Sequence, residues 1–347
     1  MTHEPDQNMT STSLKKLQRL FYWLLPIAIL SFIYTQIDIS RLINELQHVN
    51  IWMYIIAVMY FPLVMLIGAA RWKVLTKQHL QKTEKLSYLV RHYWIGMSLG
   101  FFMPASIGWD IYRIMLLANK YGNYAANTVI ILLEKFLALF VCMGVILFLY
   151  PFIDAYGISS DIKSIIDIAF YLFIFCLFLL ASTMLIKKII IFQNIITLIE
   201  GKLKQVFFVI LNKVKKNPQK NINVSWKELI EPVTNPKNLI LPILLTILNI
   251  IVTGLGTHLF FEALHYEIPL IINIFVAPIF FFIFILPISF GSIGIREGAF
   301  VFIYGLFGVP AETALIVSFF GLSGILINNA IGGLLIYKKT DKYLPSK

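Results

Sequence analysis

Six apolar stretches, Phe21–Ile37, Ile51–Ala70, Ala125–Tyr150, Ile165–Ile186, Leu239–Phe261 and Glu312–Tyr337, dominate the 347-residue chain. Each is near or above the ~20 residues that cross about 30 Å of hydrocarbon as a helix. Lipid offers a peptide group no hydrogen-bond partner, so a spanning segment must satisfy its own backbone as a helix or a closed barrel. The stretches are long and weakly alternating, which predicts helices and not the short alternating strands of a barrel. Composition agrees, with 59% hydrophobic residues, 14% charged and a mean hydropathy of +0.80, where a soluble domain carries about 25% charge. The chain reads as an all-α polytopic membrane protein.

Two further apolar segments are broken, and the breaks match. Pro104–Arg113 and Pro287–Glu297 both follow Pro-x-Ser-x-Gly-x4-Arg. Each sets helix-breaking residues and an arginine into sequence otherwise fit for lipid, where a central charge costs roughly 2.5–3.5 kcal/mol on insertion scales.

Charge distribution orients the spans. Lys15, Lys16 and Arg19 precede the first stretch, six Lys/Arg fall in Arg71–Arg91, ten in Lys187–Lys237 and four after Tyr337. The segments around Asp38–Asn50, Pro151–Ser164 and Glu262–Ile268 hold only Arg41 and Lys163. This asymmetry puts both termini in the cytoplasm. Attraction to anionic headgroups accounts for the net charge of +11 without nucleic acid. The first stretch contains Pro26 and lacks a small-x-small cleavage site, so it reads as an uncleaved span. Cys142 and Cys176 fall in apolar helices and read as packing thiols.

With this orientation, His92–Leu117 has arms of about 12 and 9 residues around its break, neither able to cross alone. It is expected as a re-entrant hairpin from the cytoplasmic side, with Lys120 just after it. Leu270–Gly308 is expected as a second hairpin entering from outside, its second arm being Gly298–Gly308. Hairpins inserted from opposite faces form the inverted pseudo-repeat of many transporters. The expected architecture is about six full spans plus two re-entrant helical hairpins in one membrane domain, 1–347. A cytoplasmic arm is expected at 1–20, a basic loop at 187–238 and a tail at 338–347. Within the loop, apolar residues from Ile189 to Val214 recur at helical spacing opposite lysines, an interfacial amphipathic helix. Ser225 and Glu228 resemble a capping box that opens one more short helix.

The embedded ionisable set is Asp110, Arg113, Glu134, Lys135, Arg296 and Glu297, whose formal charges cancel. Asp110 and Arg113, three apart, can pair on one helical face. Glu134 and Lys135 lie near the middle of their span and cannot share a face, so one snorkels or reaches another helix. Arg113 and Arg296 admit two readings. They capture an anionic headgroup with help from free N–H groups at helix starts after Gly108 and Gly294, or they tie carbonyls and carboxylates across the repeat interface. Ser106, Ser289, Gly108, Gly291 and Gly294 complete the headgroup-binding set, the glycines allowing close backbone approach. Asp110, Glu134 and Glu297 serve as counter-ions or carry protons that couple transport. Arg71 and Trp72 read as a snorkelling charge and its aromatic partner at the membrane interface. No catalytic or metal-ligand signature is recognised, and no metal or cofactor is expected.

At these motifs the chain resembles the lysylphosphatidylglycerol-synthase transmembrane family, also called the flippase-like domain family, which includes the membrane half of bacterial multiple peptide resistance factors. The residues that carry the resemblance are Arg71, Trp72 and Leu75, the Gly100–Arg113 stretch, Glu134 with Lys135, and Pro287 through Gly298. The family commonly has Pro-Gly and Gly-Gly-Asp in the first motif, Glu-Arg in the middle and a further glycine in the last. Here Ala105, Trp109, Lys135 and Ser292 stand instead, which implies a narrower anion site or another lipid.

The resemblance implies a flippase-like protein of the bacterial inner membrane that translocates or presents an anionic phospho- or glycolipid between leaflets. Its partners would be membrane lipids, either anionic phospholipid or lipid-linked glycan, with a homo-oligomer or an envelope-synthesis protein as further partners and no nucleic acid. Two alternatives stay open. One is a lipid-modifying transferase of the phosphatidylglycerol lysyltransferase type, against which stands the expectation that the cytosolic acyltransferase domain of two-domain relatives is missing. The other is a non-transporting subunit of an envelope-lipid or polysaccharide assembly.

Overall fold

The structure, a computed structural model, describes residues 28–35, 37–80, 84–101, 103, 107–121, 124–154, 171, 236–285 and 292–337. The chain divides into two compact units, Met1–Ile158 with Trp226–Lys347, and Ser159–Ser225. All the described residues except Tyr171 belong to the first unit. The expected span at 165–186, the basic amphipathic loop, Cys176, and most of the first stretch and of both Pro-x-Ser-x-Gly breaks lie outside the described residues.

The described elements are helical. After a helical stretch at 28–35 come α1 (Ile39–Gln47), α2 (Ile51–Val58), α3 (Tyr60–Leu80), α4 (Leu86–Phe101), α5 (Ile107–Tyr121), α6 (Tyr124–Asp154), α7 (Pro236–Ala263), α8 (Leu270–Phe284), α9 (Ile295–Gly305) and α10 (Ala311–Tyr337). Among the described residues, four helices are long and apolar enough to cross a membrane: Ile51–Leu80, which joins α2 and α3, Ala126–Ile153, Lys237–Ala263 and Ala311–Tyr337, with mean hydropathies of 1.9 to 2.6. An all-α polytopic membrane architecture is therefore what the residues build.

Side-chain caps set the helix starts. Asp38 accepts from the Ser40 and Arg41 amides at 2.9 and 3.2 Å, and Asn50 from those of Trp52 and Met53 at 3.1 and 3.2 Å. Such caps satisfy amides that the first helical turn leaves unpaired. The lysine-free Asp38–Asn50 segment holds α1. Its apolar residues Ile39, Ile43 and Leu46 follow helical spacing and are exposed. The Asp38 cap and that spacing were the sequence signals for α1.

Cross-helix hydrogen bonds define two ends of the bundle. At one, Asn50 N donates to Ala263 O at 2.8 Å, and at the other Gln78 Nε2 donates to Asn238 O at 2.7 Å, so α2–α3 and α7 run antiparallel side by side. α10 spans the same distance. Thr313 donates to Glu45 at 3.0 Å near the Asn50 end, and Arg91 Nη2 donates to Leu335 O at 3.3 Å near the Gln78 end.

The two broken segments are placed by the same two ends. α4 enters from the Gln78 end along α10, with Trp94 donating to Asn328 at 2.9 Å and Ser98 to Asn329 O at 2.6 Å. α5 returns to the same end, where Lys120 meets Glu84 at 2.7 Å. α8 and α9 form the opposite pair, leaving and regaining the Asn50 end, where Tyr304 donates to Asn273 at 2.7 Å and Tyr266 to Gly308 O at 3.3 Å. At 1.5 Å per residue their lengths of 16, 15, 15 and 11 residues give about 24, 22, 22 and 16 Å, short of a full crossing.

Close packing around α3 depends on glycines of two neighbours. A Cβ on Gly256 of α7 would collide with the Tyr60 ring, and one on Gly324 of α10 with Phe61. Small residues let helices approach where hydrophobic expulsion from water gives no help. Replacing Gly256 by leucine should cost about 1–3 kcal/mol by overpacking, read as an earlier thermal unfolding midpoint in detergent. Gly144→Ala, where a Cβ meets nothing within 4 Å, should leave stability unchanged or raise it.

Candidate functional site

Five charged side chains from three helices meet where α3, α5 and α6 pack. Glu134 of α6 is the hub. Its Oε1 accepts from Arg71 Nη2 of α3 at 2.8 Å, and its Oε2 from Arg113 Nη1 of α5, also at 2.8 Å. Arg113 Nη2 turns back one helical turn to Asp110 Oδ1 at 2.9 Å, and Asp110 Oδ2 reaches Lys135 Nζ at 2.7 Å. Consecutive residues Glu134 and Lys135 thus serve different partners, as their divergent faces require.

Three rings enclose the Arg113 guanidinium. Trp72, Tyr93 and Trp109 place their centroids 5.5, 5.1 and 5.2 Å from its Cζ, and its side chain is 4% exposed. Desolvated cation–π contacts of this kind are worth about 2 kcal/mol each. Gly100 and Gly108 bring α4 and α5 close enough to hold Trp109 in place, since a Cβ on Gly100 would meet the Trp109 backbone and one on Gly108 the Leu99 carbonyl. Gly108 therefore serves packing within its own helix pair. It lies one residue inside α5, which begins at Ile107 and not after Gly108.

Arg71 and Trp72 depart from expectation. They sit mid-helix in α3 and not at its end, with Trp72 only 1% exposed and Arg71 tied to Glu134. A carboxylate 63 positions away holds the Arg71 charge inside the bundle. Arg71 also makes the network's formal charge +1, three cations against two carboxylates, in place of the balanced set read from sequence.

At the second motif Gly294 takes φ +81° and caps α9, a conformation that favours glycine. Glu297 Oε2 accepts from the Gly294 amide at 2.6 Å, so this carboxylate serves the helix start. Arg296 is buried and lies over the Phe284 ring, 5.6 Å from its centroid. Ser106, Ser289 and Gly291 lie outside the described residues.

Arg71 and Arg296 both line a cavity of about 320 Å³ bordered by α3, α7, α8, α9 and neighbouring helices. Its walls are mostly aliphatic and aromatic, with Tyr60, Tyr304 and a polar stripe of α7, Thr246, Asn249, Thr253 and Thr257, as the neutral polar lining. Among the described lining residues these two arginines are the charged ones, and no carboxylate faces the space. Arg113 does not line it. Thr246 joins cavity and network, accepting from Arg71 Nη1 at 3.0 Å. The spacing of the polar stripe at three, four and four residues within an apolar helix was a signal that sequence reading passed over.

Residues 20–324, which include all these elements up to the middle of α10, match the family described as Lysylphosphatidylglycerol synthase TM region. The chain belongs to that family. Family membership and the long apolar helices together make it a membrane protein with a membrane-lipid-related role. No curated protein matches its sequence.

Removing the Glu134 charge would take from Arg71 its carboxylate among the described residues and leave Arg113 with Asp110. Glu134→Gln is expected to cost about 3–5 kcal/mol, seen as a large fall in the thermal midpoint of the detergent-solubilised protein. Lys135, with its side chain 35% exposed, should lose under about 1 kcal/mol on change to alanine.

Proposed function

We propose that the protein translocates or presents an anionic phospho- or glycolipid between the leaflets of the bacterial inner membrane. The observation that carries this reading is the cavity with two buried arginines and no facing carboxylate among its described lining residues. At an effective dielectric of about 20, opposite unit charges 4 Å apart attract by roughly 4 kcal/mol, which offsets part of the dehydration of an anionic headgroup. The mostly apolar walls suit acyl chains or glycerol backbone beside the phosphate.

In this reading Arg71 and Arg296 hold the headgroup. Arg113, given that role from sequence, instead holds α5 against α3 and α6, with Asp110 and Glu134 as counter-ions. The pairs α4–α5 and α8–α9 act as re-entrant hairpins inserted from opposite faces in an inverted repeat, and both termini are cytoplasmic.

The non-transporting reading has one observation in its favour, the Glu134 bridge, which accounts for Arg71 as a structural cation. Proteoliposomes carrying a leaflet-resolved fluorescent anionic lipid separate the two. Arg296→Ala is expected to slow transbilayer movement about tenfold or more, equivalent to about 1.4 kcal/mol, with the unfolding midpoint followed on the same sample. Wild-type movement no faster than in protein-free vesicles, or an Arg296→Ala rate equal to wild type across anionic lipids, would sink the transport reading.

A further inference from the structure

A chain of polar side chains runs from the cavity towards the Asn50 end of the bundle. Tyr304 lines the cavity, and its hydroxyl donates to Asn273 Oδ1 at 2.7 Å. With that oxygen engaged, Asn273 Nδ2 faces His258 Nδ1 at 3.4 Å, and His258 Nε2 lies 3.7 Å from Glu262 Oε1, one helical turn further along α7. A neutral imidazole carries one hydrogen, and the partner of one nitrogen decides the state of the other. The Glu262 carboxylate favours the hydrogen on Nε2, so Nδ1 accepts from the Asn273 amide. Every link then donates away from the cavity.

The two ends of the chain differ in access to water. Asn273 and Tyr304 are each 1% exposed, whereas the side chains of His258 and Glu262 are 22% and 42% exposed. Gly254 fixes the spacing of α7 and α8, since a Cβ there would come within 2.8 Å of the Ile274 Cα. The Tyr304 ring is held by Phe261, Phe300 and Phe280, with centroids 4.8, 5.6 and 5.8 Å away. An amide and a hydroxyl can therefore rotate where helices and ring cannot move. Among the described residues the ion-pair partner of His258 is Glu262. Of the other ionisable groups towards this end on helices packed against α7, Tyr54 of α2 is bonded to Ser323 and Glu312 of α10 to the Asp38 amide, at 2.7 and 2.9 Å. Tyr60 of α3 lies against Gly256, α6 brings Tyr150, and α8 has none over Leu270–Phe284.

Histidine is the side chain whose charge ordinarily changes between about pH 5 and 8. A proton taken from water at the Asn50 end forms one N–H bond at Nδ1 and sets a donor against the Asn273 donor, which a buried pair does not tolerate. A half-turn of the Asn273 amide restores both bonds: Oδ1 accepts from Nδ1, and Nδ2 donates to the Tyr304 oxygen. The hydroxyl hydrogen of Tyr304, released from Asn273, then turns into the cavity.

We propose that His258 is a pH switch for the cavity: on protonation it reverses the Asn273 amide and makes Tyr304 a donor to the cavity's occupant, so that acid at the Asn50 end strengthens the binding of an anion. The reversal stands on this geometry alone, and its effect on a ligand rests on the anion reading of the same cavity.

Two readouts on full-length protein in phosphatidylcholine nanodiscs test this, with unfolding midpoints followed for every variant. In the first, tyrosines isotope-labelled at Cζ report the Tyr304 hydroxyl by NMR without added anion, the resonance being assigned by its loss in Tyr304→Phe. It should move between about pH 5 and 8 in wild type. It should stay fixed in His258→Gln, a change at a partly exposed position, and in Asn273→Leu, which keeps the histidine and cuts the chain. In the second, dioleoylphosphatidylethanol is the probe, a phosphodiester whose single charge does not titrate in this range, and its retention is read by native mass spectrometry. Wild type should bind it about tenfold more tightly at the acid limit, the size of one hydrogen bond to a charged group, and Tyr304→Phe should bind it equally at both limits. A Tyr304 resonance that ignores pH, or one that still moves in either variant, overturns the switch. A moving resonance with pH-independent lipid binding overturns its effect on the cavity. No retention of the lipid at any pH overturns the anion reading and leaves the hydrogen-bond reversal standing.

Discussion

The Glu134 carboxylate, shared between Arg71 and Arg113, is the interaction on which the arrangement of the described core depends. One residue of α6 places an oxygen against α3 and another against α5, each at 2.8 Å, in surroundings that leave its side chain 4% exposed. Desolvating three such charges is costly, and a buried ion network often contributes less net stability than well-packed apolar residues of equal volume. Its value lies in specificity: the oxygens and guanidiniums satisfy one another in one relative placement of three helices. Apolar side chains alone would tolerate others, because lipid tails compete equally for them. The aromatic enclosure of Arg113 reinforces that placement, drawing Trp72 from α3, Tyr93 from α4 and Trp109 from α5 around one cation.

Arg71 belongs both to this network and to the cavity wall, and that double membership links the fold's rigid part to its candidate site. One nitrogen meets Glu134 and another meets Thr246 on α7. The network thus reaches the edge of a space whose described lining holds Arg296 as well. The two Pro-x-Ser-x-Gly-x4-Arg motifs, alike in sequence, put their arginines to different uses. Arg113 is paired with two carboxylates and ringed by three aromatic side chains, while Arg296 borders the cavity. Their neighbouring carboxylates diverge too, Asp110 joining the ion network and Glu297 accepting from the amide that opens α9.

Much of this was legible in one dimension. Span length and apolarity dictate helices, because a backbone in hydrocarbon must close its own hydrogen bonds. The proline and glycine breaks mark where helices stop short, and α4, α5, α8 and α9 end there. The Asp110–Arg113 pair follows from a separation of three on a helix. Even the divergence of Glu134 and Lys135 was predictable, though not their partners. What sequence reading left out was the partner of Arg71, because nothing local points to a carboxylate 63 positions away. The α7 stripe was missed because threonine and asparagine barely lower a hydropathy average, although their period was present.

The sequence by itself determined the secondary structure, the membrane setting, the positions of the two breaks and the residue types available for anion binding, since each follows from local spacing and backbone chemistry. Tertiary structure alone decided which arginines share the Glu134 carboxylate and which line a cavity, and that the threonines of α7 line that cavity with Arg71 and Arg296. The reason is geometric: Glu134 lies 63 and 21 positions from its two arginines, and helical periodicity specifies which face a residue occupies but not which helix comes to meet it.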